Sequence, residues 1–133
     1  MKILVSACIM GVDCKYNGKN NKNLAAINYL KDKEIIIISD EIYAELTYQT
    51  QHVSIASFPE VKDQTLVING FSKAYAMTGW RLGYVCGHPI LINAMKKIHQ
   101  YAIMCSPTTS QYAAIEAMKN GDHSVETMVK EYN

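Results

Sequence analysis

The sequence predicts an α/β fold in which a mostly parallel sheet is flanked by helices. Two continuous apolar runs, at residues 34–39 and 65–69, carry the prediction of the sheet. Apolar residues that run on rather than alternate are typical of parallel strands buried on both faces. Apolar residues at helical spacing after Pro89 and Pro107 predict two helices, because proline is favoured at the first position of a helix.

The same patterns predict the secondary structure of the first third of the chain. Residues 2–8 are mostly apolar and predict a strand, whereas residues 9–23 are rich in Gly, Asn and Lys and predict a loop. Apolar residues at helical spacing predict a helix over 24–31, which leads into strand 34–39.

The rest of the chain is predicted in the same way. A polar segment interrupted by Pro59 leads to strand 65–69, and a short strand is expected at 82–86. Gly121 is expected to end the helix that Pro107 begins, and residues 124–132 predict a last helix.

Composition excludes several classes of function. The chain has 133 residues, enough for one ordinary domain, and 49% of them are hydrophobic. A net charge of +1 gives no reason to expect a nucleic acid or an anionic membrane as partner, and no apolar run is long enough to span a bilayer. The four cysteines form no recognisable disulfide framework, and no export signal is evident. We therefore expect reduced thiols, no metal site and a cytoplasmic location.

Functional side chains are expected where two neighbouring strands end. Asp40 follows strand 34–39, with Tyr43 three residues later, and Ser72 and Lys73 follow strand 65–69. Because ligands bind beyond the carboxyl ends of parallel strands, these residues are expected at one edge of the sheet. Arg81 is the only arginine among 13 basic residues, which suggests a need for its planar, bidentate guanidinium. An amine beside a hydroxyl and a guanidinium suits an aldehyde that carries a phosphate.

A less specific interpretation of the first acidic pair stays open. Asp40 and Glu41 also suit the start of a short helix, as its N-cap and first-turn acid.

Three segments together resemble a known family. The segments are 40–43 (DEIY), 69–73 (NGFSK) and 78–84 (TGWRLGY). In this order and spacing they resemble the class I/II aminotransferases, pyridoxal-phosphate enzymes with the aspartate aminotransferase fold. The resemblance implies amino-group transfer between an amino acid and a 2-oxo acid, in a homodimer. It also implies that the chain is an incomplete part of the three-layer large domain.

The resemblance also implies a role for each site residue. Lys73 matches the lysine that forms a Schiff base with the cofactor and moves a proton during the reaction. Asp40 matches the aspartate that keeps the pyridine nitrogen protonated, and Tyr43 matches the tyrosine bonded to the ring 3-oxygen. Ser72 and Arg81 match ligands of the cofactor phosphate. A further glycine, at position 70, stands where some members carry another phosphate-binding serine.

Parts of the family pattern are not found in this sequence. The glycine-rich phosphate loop, the aromatic residue that stacks on the ring and the arginine that binds the substrate carboxylate have no match. We therefore expect the chain to be inactive as a fragment.

The opening of the chain carries a different resemblance. Residues 5–18 are similar to the start of the thiouracil-desulfurase-like proteins, in which a cysteine matching Cys8 helps to hold an iron–sulfur cluster. The predicted division is therefore a foreign N-terminal segment, 1–23, and an aminotransferase-like segment, 24–133. Two alternatives to an aminotransferase stay open: an iron–sulfur protein defined by its N-terminus, and a non-catalytic remnant.

Overall fold

The computed structural model describes residues 2–3 and 35–133. Within them, four strands form one sheet in the order β1-β2-β3-β4. Their bounds are β1 Lys2–Ile3, β2 Ile36–Asp40, β3 Thr65–Gly70 and β4 Gly83–Gly87. The first three strands are parallel to one another, and β4 is antiparallel to β3. The predicted mostly parallel sheet is confirmed, and β2, β3 and β4 lie within two residues of the expected bounds. The rest of predicted strand 2–8 and the predicted helix 24–31 lie outside the described residues.

Strand register brings three chain segments to one edge of the sheet. Asp40, the last residue of β2, is paired with Ile68 of β3, two residues before β3 ends. Gly70, the last residue of β3, is paired with Gly83, the first residue of β4. The carboxyl ends of β2 and β3 and the amino end of β4 therefore lie together.

Among residues 35–133, the buried apolar side chains form two clusters. One contains Ile37 of β2 together with residues of the 52–62 segment; its members are Ile35, Ile37, Ile55 and Val61, with Phe58 packed against them. The other joins the residues after β3 to a helix; its members are Phe71, Met77 and Ala114. Along β2 the buried residues alternate with half-buried ones, so only one face of this strand is fully covered within the described residues. The expectation that both faces are covered stays a prediction, because residues 4–34 lie outside the described part of the chain.

Three α-helices follow the sheet: α1 Pro89–Ala102, α2 Thr108–Asn120 and α3 Asp122–Tyr132. His88 caps α1, since its Nδ1 accepts a hydrogen bond from the backbone N–H of Ile90 at 3.4 Å. The two helices predicted after prolines are confirmed, and the last helix begins two residues earlier than expected. No helix among residues 35–133 is long and apolar enough to cross a membrane.

Candidate active site

The carboxyl end of β2 leads into a tight turn that carries Asp40 and Tyr43. The Oδ1 of Asp40 accepts a hydrogen bond from the N–H of Ile42 at 3.2 Å. The N–H of Ala44 donates to the carbonyl of Glu41 at 2.9 Å. Residues 42–45 form a turn and not a helix. The interpretation of the acidic pair as the start of a short helix is therefore wrong. The Asp40 carboxylate instead stabilises the turn and lies exposed at the sheet edge.

Lys73 approaches this turn from the neighbouring strand. Its Nζ lies 5.6 Å from the centroid of the Tyr43 ring, which is within the range of a cation–π contact. Tyr43 is 57% exposed, so the ring and the amine share a surface that is open to solvent. The structure thus brings together one residue that follows β2 and one that follows β3.

The loop that carries Lys73 is closed by hydrogen bonds at both ends. The N–H of Met77 donates to the carbonyl of Phe71 at 3.1 Å, and the hydroxyl of Thr78 donates to the carbonyl of Ser72 at 2.8 Å. Phe71 and Met77 are both buried, and they tie the loop to the second core cluster. Ser72 and Lys73 are each half-buried within it.

Arg81 lies at the other end of the same connection, two residues before β4. Its φ of 51° is in the left-handed region, where a side chain other than glycine is uncommon. Its Nη1 donates to the carbonyl of Thr78 at 3.0 Å. The guanidinium has five N–H donors, so this bond leaves it able to bind a further acceptor at the exposed edge.

Gly70 marks a close approach of two strands beside the site. A Cβ atom at this position would lie 3.0 Å from the Cα of Gly83 and 3.0 Å from the carbonyl oxygen of Leu82. Both neighbours are backbone atoms, so a serine here requires a shift of β4. Glycine at position 70 therefore allows the start of β4 to pack closely against the end of β3.

Glu41, which the sequence suggests only as the first-turn acid of a short helix, is a buried carboxylate. The residue is 6% exposed, and both oxygens of its carboxylate accept hydrogen bonds. Oε1 accepts hydrogen bonds from the hydroxyl of Ser39 at 3.0 Å, the hydroxyl of Ser54 at 2.9 Å and the N–H of Ile55 at 3.3 Å. The Nε2 of His52 donates to Oε2 at 2.9 Å. The only sequence signal was a charged residue beside a predicted buried strand, with His and Ser some 11 to 13 positions away.

Aromatic rings cover the side of the Lys73 loop that faces β4. The Phe71 ring lies 5.5 Å from that of Tyr75 and 5.8 Å from that of Tyr84. Burial raises the pKa of the Tyr84 phenol above its ordinary value of 10.0, and the carboxylate of Glu45 adds to the shift. Burial likewise raises the pKa of Tyr75. Both phenols are therefore neutral in the folded protein at physiological pH.

Comparison with known proteins identifies the family. The sequence profile of "Aminotransferase class I and II" matches residues 20–133. The chain belongs to the class I and II aminotransferases. The resemblance to the class I/II aminotransferases, the predicted fold class and membership of an enzyme family are confirmed, and the resemblance of residues 5–18 to the thiouracil-desulfurase-like proteins stays a prediction. Members of the family use pyridoxal 5′-phosphate.

Three relatives illustrate the similarity. The protein YugH of Bacillus subtilis (strain 168), whose name describes it as an aminotransferase, is 54% identical to this chain over 104 residues. The matched part covers 78% of this chain and 27% of that protein. An aspartate aminotransferase of Bacillus sp. (strain YM-2) is 48% identical over 103 residues, covering 76% of this chain and 26% of that protein. The crystal structure of an aromatic aminotransferase from Pyrococcus horikoshii OT3 is 36% identical, with a TM-score of 0.81 over 98% of this chain and 35% of that one.

The chain thus spans between a quarter and a third of the length of these relatives. Cys8 and Cys14 and the predicted division at residue 23 lie outside the described residues, so the division stays a prediction. Cys86 and Cys105 are both exposed free thiols. Among residues 35–133, no group of His, Cys, Asp or Glu side chains could hold a metal ion.

Proposed function

We propose that this chain carries the cofactor-anchoring part of an aminotransferase that transfers an amino group between an amino acid and a 2-oxo acid. The observation that carries the proposal is the placement of Lys73. Its amine lies 5.6 Å from the Tyr43 ring, at the edge where β2 and β3 end and β4 begins. This is the edge at which open α/β sheets bind their ligands.

The chemistry of these groups fits pyridoxal 5′-phosphate. Lys73 supplies a primary amine, to which the aldehyde carbon of the cofactor attaches. Ser72 and Arg81 supply a hydroxyl and a guanidinium for the phosphate. Tyr43 supplies a phenol for the ring oxygen, and Asp40 supplies a carboxylate for the ring nitrogen.

Each residue then has a defined task in the reaction. The bound cofactor supplies an electron-withdrawing ring that stabilises negative charge at the substrate α-carbon. Asp40, whose carboxylate is exposed at the edge, holds a proton on the ring nitrogen. Lys73, whose amine lies beside the Tyr43 ring, would carry a proton to and from the substrate α-carbon. Tyr43, in contact with Lys73, donates a hydrogen bond to the ring oxygen.

The 133-residue chain assayed alone is proposed to be inactive. A substrate α-carboxylate is best held by a second arginine, because a guanidinium binds both of its oxygens at once. Arg81 is the only arginine of the sequence, and the proposal assigns it to the phosphate. Positioning of the substrate can account for roughly 7–11 kcal/mol of a reaction barrier, so its loss removes measurable turnover.

We further propose that the complete enzyme is a cytoplasmic homodimer with amino acid and 2-oxo acid substrates and with no nucleic acid or membrane partner. The relatives named as aminotransferases support the substrate classes. No observation in the described residues favours an iron–sulfur protein.

Borohydride trapping tests the proposal. The chain is incubated with pyridoxal 5′-phosphate and reduced with sodium borohydride, and the labelled lysine is identified by peptide mapping. Label concentrated on Lys73 is the expected result, and Lys73→Ala should remove it. Lys62→Ala is a matched control, because Lys62 is an exposed lysine on a 3-10 helix, Lys62–Gln64, away from the edge. Label spread evenly over the lysines, unchanged in Lys73→Ala, would overturn the proposal.

A further inference from the structure

The buried carboxylate of Glu41 binds two separate parts of the chain. Ser39, in β2, donates to Oε1 from the strand itself. The other donors come from the segment 52–55, which packs beneath the end of the strand: His52 donates to Oε2, and the Ser54 hydroxyl and the Ile55 N–H donate to Oε1. A single side chain therefore joins the end of β2 to this segment.

These hydrogen bonds fix the position of the Glu41 carboxylate, because a buried charge is tolerated only when it is well paired. A carboxylate without partners in a protein interior is strongly unfavourable, and an ionised carboxylate can only accept hydrogen bonds. Glu41 is 94% buried, and four donors meet its two oxygens at 2.9–3.3 Å. Any movement of the strand end relative to residues 52–55 breaks several of these bonds together.

The pairing also determines where the neighbouring residues point. Successive side chains of an extended strand lie on opposite faces. Ser39 and Glu41 are buried on one face, and Asp40 between them is exposed on the other. The N–H of Glu41 still continues the sheet ladder, donating to the carbonyl of Ile68 at 2.8 Å. Holding the Glu41 side chain inward therefore holds the Asp40 side chain outward.

The same residue anchors the turn that leads to Tyr43. The carbonyl of Glu41 accepts from the N–H of Ala44, and the N–H of Ile42 donates to Asp40. Ile42 packs toward Gly70, since its Cδ1 lies 3.3 Å from where a Cβ of that glycine would stand. The turn is thus held by Glu41 on the inner side and by β3 on the other.

We propose that Glu41 is a positioning residue, whose buried carboxylate fixes the turn that presents Asp40 and Tyr43 at the sheet edge beside Lys73. The carboxylate hydrogen bonds of Glu41 go to Ser39, His52, Ser54 and Ile55. The part of this inference that concerns the cofactor rests on the proposed function, whereas the part that concerns the turn does not.

Amide hydrogen exchange measured by NMR on the full chain tests the inference without any cofactor. In Glu41→Ala, the amides of Ile42 and Ala44 should exchange at least about tenfold faster than in the unmodified chain, because their turn has lost its anchor. The amide of Ala76, which donates to the carbonyl of Lys73 at 3.2 Å, serves as an internal reference and should change little. Glu45→Ala is the matched control, since it removes an exposed acid from the same turn.

A second readout uses the cofactor. Glu41→Ala should weaken pyridoxal 5′-phosphate binding about tenfold and shift the absorbance of the bound cofactor, because Asp40 and Tyr43 are misplaced. Glu41→Gln keeps one acceptor oxygen for three of the four donors and should restore most of both readouts. If Glu41→Ala does not fold, the pair His52→Ala and His52→Gln carries the test, because only glutamine retains an N–H donor for Oε2.

The outcomes separate the two proposals. Equal exchange at Ile42 and Ala44 in Glu41→Ala and Glu45→Ala overturns the positioning role. An equal increase at Ala76 also overturns it, because the effect is then a general loss of stability. An unmodified chain that fails to bind the cofactor at Lys73 contradicts the proposed function, and the exchange measurements still decide the role of Glu41.

Discussion

Replacing Gly70 by alanine tests how closely β3 and β4 must approach beside the site. The added Cβ meets the Cα of Gly83 and the carbonyl oxygen of Leu82 at 3.0 Å, and the Cδ1 of Ile42 at 3.3 Å. The two closest neighbours are backbone atoms, which cannot move away by a change of rotamer. β4 must therefore shift by a few tenths of an ångström relative to β3.

The magnitude follows from two opposing effects. Overpacking of a well-packed site costs about 1–3 kcal/mol of unfolding free energy. Replacing glycine by alanine also restricts the unfolded chain, which returns about 0.4–1 kcal/mol. Gly70→Ala should therefore lower the free energy of unfolding by up to about 2.6 kcal/mol, and by about 1.3 kcal/mol at the middle of both ranges.

Gly79→Ala provides the matched control within the same connection. Nothing lies within 4 Å of a Cβ at Gly79, so only the restriction of the unfolded chain remains. This variant should be more stable than the unmodified chain by about 0.4–1 kcal/mol. The two alanine variants should thus differ by about 1–3 kcal/mol, although their sequence change is the same.

Urea unfolding followed by circular dichroism measures this difference, at one fixed protein concentration and with a common slope. Cofactor titration of the same samples should show weaker binding in Gly70→Ala, because the shift of β4 displaces the start of the strand that Arg81 precedes. A Gly70→Ala variant as stable as Gly79→Ala would refute the reasoning, since the close approach would then carry no energetic cost.

Three further predictions follow from single features of the structure. Arg81→Lys should weaken pyridoxal 5′-phosphate binding in a fluorescence titration, because lysine lacks the bidentate geometry, and unchanged affinity would contradict a phosphate role. The raised pKa of Tyr84, due to burial and then Glu45, means that the folded state keeps the phenol proton more firmly than the unfolded state. The contribution of this phenol to stability is therefore complete below pH 10.0 and is lost as pH rises through the folded pKa. In urea unfolding, the stability of Tyr84→Phe should therefore depend less on pH in that range than the stability of the unmodified chain. An equal dependence of stability on pH in the two proteins would contradict this. Ile98 and Tyr101 of α1 are 72% and 95% exposed, so the chain should self-associate in sedimentation velocity experiments. The double variant Ile98→Ser, Tyr101→Ser should associate less. A monomer at all protein concentrations would argue against this prediction.

Features that depend on local sequence were predictable. A continuous apolar run predicted β2, and prolines predicted the starts of α1 and α2, because each pattern acts within a few residues. Asp40 and Lys73 could be expected at one edge because parallel strands end on the same side. Their assigned roles in cofactor binding stay predictions.

Features that depend on distant pairing were not predictable from those patterns. Three of the four partners of Glu41 come from positions 11 to 14 residues away, across a segment with no regular period. A charged residue next to a buried strand is usually exposed, so burial was not expected. The steric restriction at Gly70 depends in the same way on a backbone that arrives from β4, and no local pattern describes it.

The direction of β4 places Arg81 near the edge where β2 and β3 end. Parallel strands explain why Asp40 and Lys73 lie at one edge of the sheet, but Arg81 precedes its strand and does not follow it. An antiparallel β4 begins where β3 ends, as the pairing of Gly70 with Gly83 requires. In a parallel arrangement the five residues of β4 would separate Arg81 from this edge by roughly 15 Å, at about 3.3 Å per residue. The proposed binding of one ligand by both Arg81 and Lys73 therefore depends on the antiparallel direction of β4.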